Sequence, residues 1–350
     1  MRTPDLNWIK DPRVFQVNRL HAYSDHIYTI GKDKKPSSFS LNGTWKFNLS
    51  KNYDSCFKFF YNTEFNDSNW NDIQVPGHIQ LQGFDNPHYT DVTYPWDGHD
   101  VVKPGQIDMD KNKVYQYRKT FDCPKDFIGN KLILSFEGAE SNIYVWLNGK
   151  FIGYSEDSFT PSRFDITKYT QEKDNVLCVR IFQKCTGTWL EDQDMWRFTG
   201  IFRDVMIYKQ PSLHIQDLKI DTDIDLDTNK SVLSCVCKMS SNESHTLQAK
   251  LYDPQGNIVW NGNMQDTFEI PVENTCLWSS EFPNLYQLEL VLYDTNNEII
   301  ETIQEQVGFR KFTLEYGIMK LNGKRIVFHG INRHEWDPKT GRCLSQEQME

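Results

Sequence analysis

Asn148-Gly149 stands between two short apolar runs, and it limits the fold more than any other feature of the sequence. On one side Ile143, Val145 and Leu147 alternate with Tyr144 and Trp146; on the other is Lys150-Phe-Ile-Gly-Tyr154. Both central residues of a two-residue hairpin turn need positive φ, which Asn and Gly adopt at least cost. Similar runs recur at Leu132–Phe136, Val176–Phe182 and Val205–Tyr208, and no convincing amphipathic helix intervenes between Ser37 and Lys209. Many short strands joined by Gly, Pro and Asn turns predict a sandwich or jelly roll over 37–210. The aromatic share of 14% suits this reading, because flat rings pack well on pleated surfaces. Aromatic faces also suit sugar rings, although core packing accounts for most of these residues.

Residues 1–36 are polar and irregular, with Pro4, Pro12 and Pro36, and are expected to form an extended arm. Pro211 marks a boundary. Beyond it, six runs are expected as strands: Leu213–Ile220, Ser231–Met239, Leu247–Tyr252, Thr267–Val272, Leu285–Tyr293 and Ile299–Gln306. About 100 residues with about seven strands fit an immunoglobulin-like sandwich over 211–313. The Cys–Trp–Cys pattern of true immunoglobulin domains is not evident.

A third unit is expected over 314–350. Asn322-Gly323 signals a second hairpin between Ile318–Leu321 and Lys324–His329. The continuous apolar run Ile326-Val-Phe-His-Gly-Ile331 reads as a strand buried on both faces. Ser345-x-x-Gln348 reads as a capping box opening a helix. Strand then helix is the start of a β/α unit. A β/α barrel takes about 250 residues, so the sequence is expected to be cut inside that domain.

Net charge is −10 with no basic stripe, which argues against nucleic acid and against an anionic membrane surface. No apolar run approaches the length of a bilayer span, and the first residues lack a signal-peptide core. The expected location is the cytoplasm. Eight scattered Cys without a zinc-site spacing are expected as free, mostly buried thiols.

Three constellations hold chemistry-bearing side chains. Trp189-Leu-Glu-Asp-Gln-Asp-Met-Trp196 sets Glu191, Asp192 and Asp194 between two indoles, with Arg197 next and Arg203 close behind. Carboxylates this close repel unless cations intervene. The segment is either a sugar-hydroxyl site beside aromatic walls or a structural loop bridged to Arg197 and Arg203. His78, His88 and His99 match no metal-ligand spacing and are expected as surface histidines. Asn332-Arg-His-Glu335 follows the last apolar run, where a barrel carries its active site, so His334 and Glu335 are candidate site residues; Glu335 is expected instead to form an ion pair with Arg333 or another barrel residue.

Taken in order, the chain resembles the N-terminal third of large bacterial β-galactosidases of glycoside hydrolase family 2. The resemblance is carried by Gln16-Val-Asn-Arg-Leu-His21, Ser40-Leu-Asn-Gly-Thr-Trp45, Tyr89-Thr-Asp-Val-Thr-Tyr-Pro95 and Gly153-Tyr-Ser-Glu-Asp-Ser158. Pro161-Ser-Arg-Phe-Asp165, Leu190–Arg197, Gly200-Ile-Phe-Arg-Asp204, Val307-Gly-Phe-Arg310 and Gly330-Ile-Asn-Arg-His-Glu335 continue it. It implies a jelly-roll sugar-binding-like domain, an immunoglobulin-like sandwich and the first element of a (β/α)8 barrel. It also implies retaining hydrolysis of terminal β-galactosides such as lactose, by two glutamates expected after Glu350, so these 350 residues alone would be inactive. Asp194 matches an aspartate that reaches the galactose pocket and helps hold sodium. His334 matches a histidine lining that pocket. Asp91 stands where the family commonly has a sugar-contacting asparagine, exchanging a donor-and-acceptor amide for an acceptor-only carboxylate. Magnesium and sodium are implied for the whole enzyme, with no magnesium ligand in this chain. The implied partners are the β-galactoside, the remaining barrel or a complementary subunit, and further copies in a homo-oligomer. Two alternatives stand beside this reading: a non-catalytic carbohydrate-binding or assembly module, and a family 2 glycosidase of other sugar preference.

Overall fold

The computed structural model describes residues 3–22, 27–30, 37–96, 102–103, 105–191 and 194–349. They form two compact units. The first comprises Met1–Leu20, Ser38–Lys209 and Arg333–Glu350; the second comprises His21–Ser37 and Gln210–Asn332.

The first unit is built on two antiparallel sheets. The larger runs in the order Gln16–Val17, Lys150–Glu156, Asn142–Leu147, Asn175–Phe182, Val114–Phe121, Gly43–Ser50 and Asn71–Val75. The smaller runs Ser162–Asp165, Lys131–Phe136, Val205–Gln210 and Ser38–Ser40. The Asn148-Gly149 hairpin forms as its residues predict, with φ of 50° and 74°. Asn148 also accepts the Val176 N–H at 2.8 Å through Oδ1 and donates to Tyr169 O through Nδ2 at 2.8 Å, tying the turn to the next strand.

Alternation along Asn142–Leu147 divides its side chains between two cores. Ile143, Val145 and Leu147 join the core that also holds Leu134, Phe136 and Ile207 of the smaller sheet. Tyr144 and Trp146 point the other way, into a cluster with Ile9, Val17, Phe60 and Trp70. A sheet covered on both faces contributes about 1.5–3 kcal/mol per large apolar side chain buried, so every residue of this strand is buried.

The second cover explains where the amino-terminal arm departs from expectation. Residues 1–36 are not uniformly irregular. Leu6–Lys10 forms a 3₁₀ turn capped by Asp5, whose side chain accepts the Asn7 N–H. Trp8 stacks on Tyr144 with ring centres 5.9 Å apart. Gln16–Val17 adds an edge strand to the larger sheet. Ile27–Ile30 belongs to the second unit, where it pairs with Ile299–Val307. Residues 31–36, including Pro36, lie outside the described residues.

The second unit contains a sandwich. One sheet is Ile215–Asp225, Lys230–Met239 and Thr267–Glu273; the other is Ile27–Ile30, Ile299–Val307, Tyr286–Tyr293, Thr246–Tyr252 and Ile258–Met264. Leu233, Cys235 and Cys237 alternate into its core. Ile258–Met264 is a strand outside the six expected, with only Ile258-Val-Trp260 as a short apolar run. It lies at the sheet's edge, and Ile258 and Val259 are exposed. The same unit carries a three-stranded meander of Phe312–Glu315, Ile318–Leu321 and Lys324–Arg325. Its turns are Tyr316-Gly317 and Asn322-Gly323, all four at positive φ.

The expected buried strand Ile326–Ile331 does not form. Pairing ends at Arg325, with one further bond from Ile326 N–H to Met319 O. Val327 is 61%, Phe328 71% and Ile331 85% exposed. A strand buried on both faces needs neighbours along both edges, and among the described residues this run has none. The segment 314–350 also divides at Arg333, whose side of the chain packs with the first unit. The capping box does form: Ser345 N–H donates to Gln348 Oε1 at 2.9 Å and Gln348 N–H to Ser345 Oγ at 3.2 Å, opening the turn Gln346–Met349.

Candidate functional site

The acidic segment is organised by a two-stranded ladder in which Met195–Arg197 pairs with His88–Thr90. Trp196 stands opposite Tyr89, with ring centres 5.4 Å apart. Met195 stands opposite Thr90, so continuing the register places Asp194 across from Asp91. Both aspartates are exposed at this end. Tyr89 Oη donates to Asp194 Oδ1, and that bond raises the phenol's pKa, with the charges of Asp194 and Asp91 adding to it.

Glu191 and Asp194 engage different partners rather than sharing one charge cluster. Glu191 closes a single helical turn, Thr188–Glu191, and folds inward. It accepts from Ser158 N–H at 2.6 Å and Ser158 Oγ at 2.7 Å. Burial raises its pKa, against the lowering effect of those bonds. Asp194 faces outward to Tyr89, and Asp192 lies outside the described residues. Arg197 Nε reaches Thr90 Oγ1 at 2.7 Å and Arg203 the Phe159 carbonyl at 2.8 Å. Glu191 is thus committed to Ser158, and Asp194 lies exposed against Tyr89.

His334 is exposed beside a groove of about 310 Å³ bordered by Arg333, Glu335, Trp336, Asp337, Leu344 and Gln348. Glu335 pairs with Arg333 as expected, through contacts of 3.0 Å to both guanidinium nitrogens involved. Neither Asp91 nor Asp194 borders this groove. A smaller cleft of about 40 Å³ is lined by His88, Glu140, Lys184, Glu191 and Arg197, among others.

His78 is not a surface residue, contrary to expectation. It is 1% exposed and stacked between Phe198 and Phe202, with ring centres 4.5 Å and 5.5 Å away. Its Nε2 accepts the Arg342 backbone N–H at 3.1 Å, so the proton sits on Nδ1. Burial, with the Arg342 charge, holds its pKa down to about 3. His99 lies outside the described residues.

Arg342 is a residue that the sequence did not single out. Its Nη1 donates to Glu140 Oε2 at 2.7 Å and its Nη2 to Trp196 O at 2.9 Å. The two side chains of the ion pair are 10% and 9% exposed. Six residues upstream, Trp336 stacks on Phe198 at 5.2 Å. Between them Asp337 and Gly341 bridge through both backbone bonds, 2.9 Å and 2.8 Å. A Gly at 341 and an Asp-initiated turn at 337 were the available signals; the partners in the jelly roll carry none.

Among the described residues no three His, Cys, Asp or Glu side chains gather to hold a metal. Asp194 offers carboxylate oxygen, but a hard cation takes several oxygen ligands, and these residues do not assemble that set by themselves. Among the described residues no helix is long and apolar enough to cross a membrane.

Comparison with known families matches residues 39–211 to the sugar binding domain of glycosyl hydrolases family 2, 213–310 to a second domain of that family and 312–350 to its TIM barrel domain. The chain belongs to glycosyl hydrolase family 2. It is 46% identical to a β-galactosidase of Halalkalibacterium halodurans, over 99% of this chain and 35% of that protein. It is 41% identical to a β-galactosidase of Clostridium acetobutylicum, over 99% of this chain and 40% of that protein. The β-galactosidase large subunit of Leuconostoc lactis is 41% identical, over 99% and 58% respectively. The chain thus spans between about a third and three fifths of the length of these relatives. Among solved structures, a Ruminococcus gnavus β-glucuronidase superposes with a TM-score of 0.71 at 19% identity, covering 89% of this chain and 52% of that one. A Bacteroides uniformis β-glucuronidase gives 0.69 at 21%, covering 89% and 37%. At that identity the likeness is one of fold: the jelly roll, the immunoglobulin-like sandwich and the start of the barrel domain.

Proposed function

We propose that this chain forms part of a retaining β-galactosidase that hydrolyses terminal β-D-galactosides such as lactose. The observation that carries the reading is identity of 46% along 99% of the chain to a β-galactosidase, against about half that identity to the β-glucuronidases of the same fold. In this reading Asp91, Asp194 and His334 contact the sugar. Asp194 and Asp91 do so from the ladder end beside Tyr89 and Trp196, where rings and acceptors stand together as sugar recognition requires. The acid/base and nucleophilic glutamates, about 5 Å apart in a retaining enzyme, come from barrel strands outside these residues. Asp194 would be one oxygen ligand of a sodium ion completed from elsewhere in the protein, and magnesium would be held elsewhere entirely. We further propose a cytoplasmic homo-oligomer. Relatives named as large subunits support a complementary subunit as the source of missing structure.

The test is hydrolysis by the intact gene product, with nitrophenyl β-galactoside compared against nitrophenyl β-glucuronide. Preference for the galactoside is expected. Turnover of the glucuronide alone would overturn the reading. The 350 residues by themselves are expected to show no hydrolysis above background.

A further inference from the structure

Residues 333–349 are fastened to the jelly roll at several points, Cys343 Sγ to Phe202 O at 3.2 Å among them, and two of the points lie two residues from a proposed sugar contact. Trp336, two after His334, stacks on Phe198. Arg342 donates to the carbonyl of Trp196, two after Asp194, and its Nη2 also lies 3.1 Å from Met195 Sδ. The loop joining these points is closed on itself. Asp337 and Gly341 exchange both backbone bonds, and Asp337 Oδ1 accepts from Lys339 N–H at 2.7 Å and Thr340 N–H at 2.9 Å. A closed loop passes a displacement of Arg342 to Trp336 instead of absorbing it.

Arg342 is held through both terminal guanidinium nitrogens and its backbone N–H, while its buried Nε has no hydrogen-bond partner. Its charge meets Glu140 in a site from which water is largely excluded. The guanidinium lies over the Phe159 ring, 5.3 Å from its centre. The backbone N–H of Arg342 donates to His78. A fork of donors that engages a carboxylate and a carbonyl at once fixes direction as well as distance, which a lysine cannot reproduce.

We propose that Arg342, through its bonds to Glu140 and Trp196, is a positioning residue that sets His334 relative to Asp194 in the sugar site. The inference rests on the galactosidase reading and adds a residue that itself touches no sugar. It predicts a loss of sugar recognition rather than of the chemical step, because both contacts bind the substrate while the glutamates act elsewhere.

The test uses Arg342→Met combined with Glu140→Gln, so that no buried carboxylate is left unpaired, and Arg342→Lys beside it. In the 350-residue chain, amide exchange at Asp337 and Gly341 is expected to quicken by about tenfold or more in the double variant. In the intact gene product, KM for nitrophenyl β-galactoside is expected to rise by about tenfold or more, with kcat within about threefold of wild type and the lysine variant in between. A role confined to folding would lower kcat by removing active enzyme and leave KM in place, which would overturn the proposal. Unchanged exchange would overturn it too, as would quickened exchange with unmoved KM. A wild-type product inert on galactosides would overturn the functional reading and this inference with it. That failure is distinguishable, since in the other cases the wild type hydrolyses.

Discussion

Glu301 Oε1 accepts the backbone N–H of Ile215 at 2.6 Å inside the immunoglobulin-like sandwich, where Glu301 is 1% exposed. Ile215 is paired with Met239 on an edge strand, next to the register shift that leaves Gln216 unpaired, and the carboxylate satisfies the buried Ile215 N–H. Burial nonetheless outweighs that bond and raises the Glu301 pKa to about 7. The folded state therefore holds its proton where the unfolded state, near 4.5, has lost it. Stability from this group is fully present below about pH 4.5 and is lost as pH rises through about 7. Glu301→Gln keeps an acceptor for Ile215 and removes the charge. At pH 8 it is expected to stabilise this unit by about 2–3 kcal/mol, with no gain at pH 4.5. Equal melting shifts at both pH values would refute the assignment.

Gly341 is held at φ +63°, and a Cβ there would lie 2.7 Å from His78 Cδ2 and 2.9 Å from Leu81 Cδ1. His78 is wedged between two phenylalanine rings and cannot retreat. Gly341→Ala is expected to destabilise the docked loop by about 2–3 kcal/mol. Gly129→Ala is the control: its φ is +88° but nothing lies within 4 Å of the added carbon, so only the backbone cost of about 1 kcal/mol applies. Amide exchange at Asp337 measures the first, and a denaturant midpoint compares both. Equal effects would show that the His78 contact is not tight.

What the sequence discloses follows the range of the interaction. Asn148-Gly149, Asn322-Gly323 and the Ser345/Gln348 capping box are settled within four residues, and each turn forms, although the strand after Gly323 stops at Arg325 instead of His329. The alternation at Ile143–Leu147 is likewise local, but it does not tell that Tyr144 and Trp146 meet a second core made by the arm. Ile258–Met264 was missed because an edge strand with one wet face needs few apolar residues. Ile326–Ile331 was misread because an apolar run specifies burial only when neighbours exist to bury it. At the site, Glu335 pairs with Arg333 two residues away and was legible. The bonds of Arg342 to His78 and Glu140 span more than 200 residues, and no spacing rule reaches that far.

The eight cysteines are all free, six of them buried. Burial pushes the thiols of Cys235 and Cys237 up to about 12, which suppresses the reactive thiolate. Titration of the native chain with an aromatic disulfide reagent is expected to modify no more than Cys276 and Cys343. In guanidinium all eight should react. Fewer than eight after unfolding would mean that some are oxidised, against the free state.

Asp91 offers the most direct probe of the proposed sugar site because it is exposed and lies across the ladder end from Asp194. Two carboxylates at one end accept hydrogen bonds but donate none, so a sugar hydroxyl lone pair facing Asp91 finds no partner. Asp91→Asn restores a donor and removes one of two neighbouring negative charges. In the intact gene product KM for nitrophenyl β-galactoside should fall by about two- to tenfold, the range of one added hydrogen bond, with kcat little changed. The same substitution should lower the Tyr89 phenol pKa, since the Asp91 charge contributes to raising it; ultraviolet titration against a Tyr89→Phe control reads that shift independently of catalysis. A KM that rises while the phenol shifts as expected would show that the carboxylate itself is the group the sugar uses, and Asp91 would then be an adaptation of this site rather than a weakened contact.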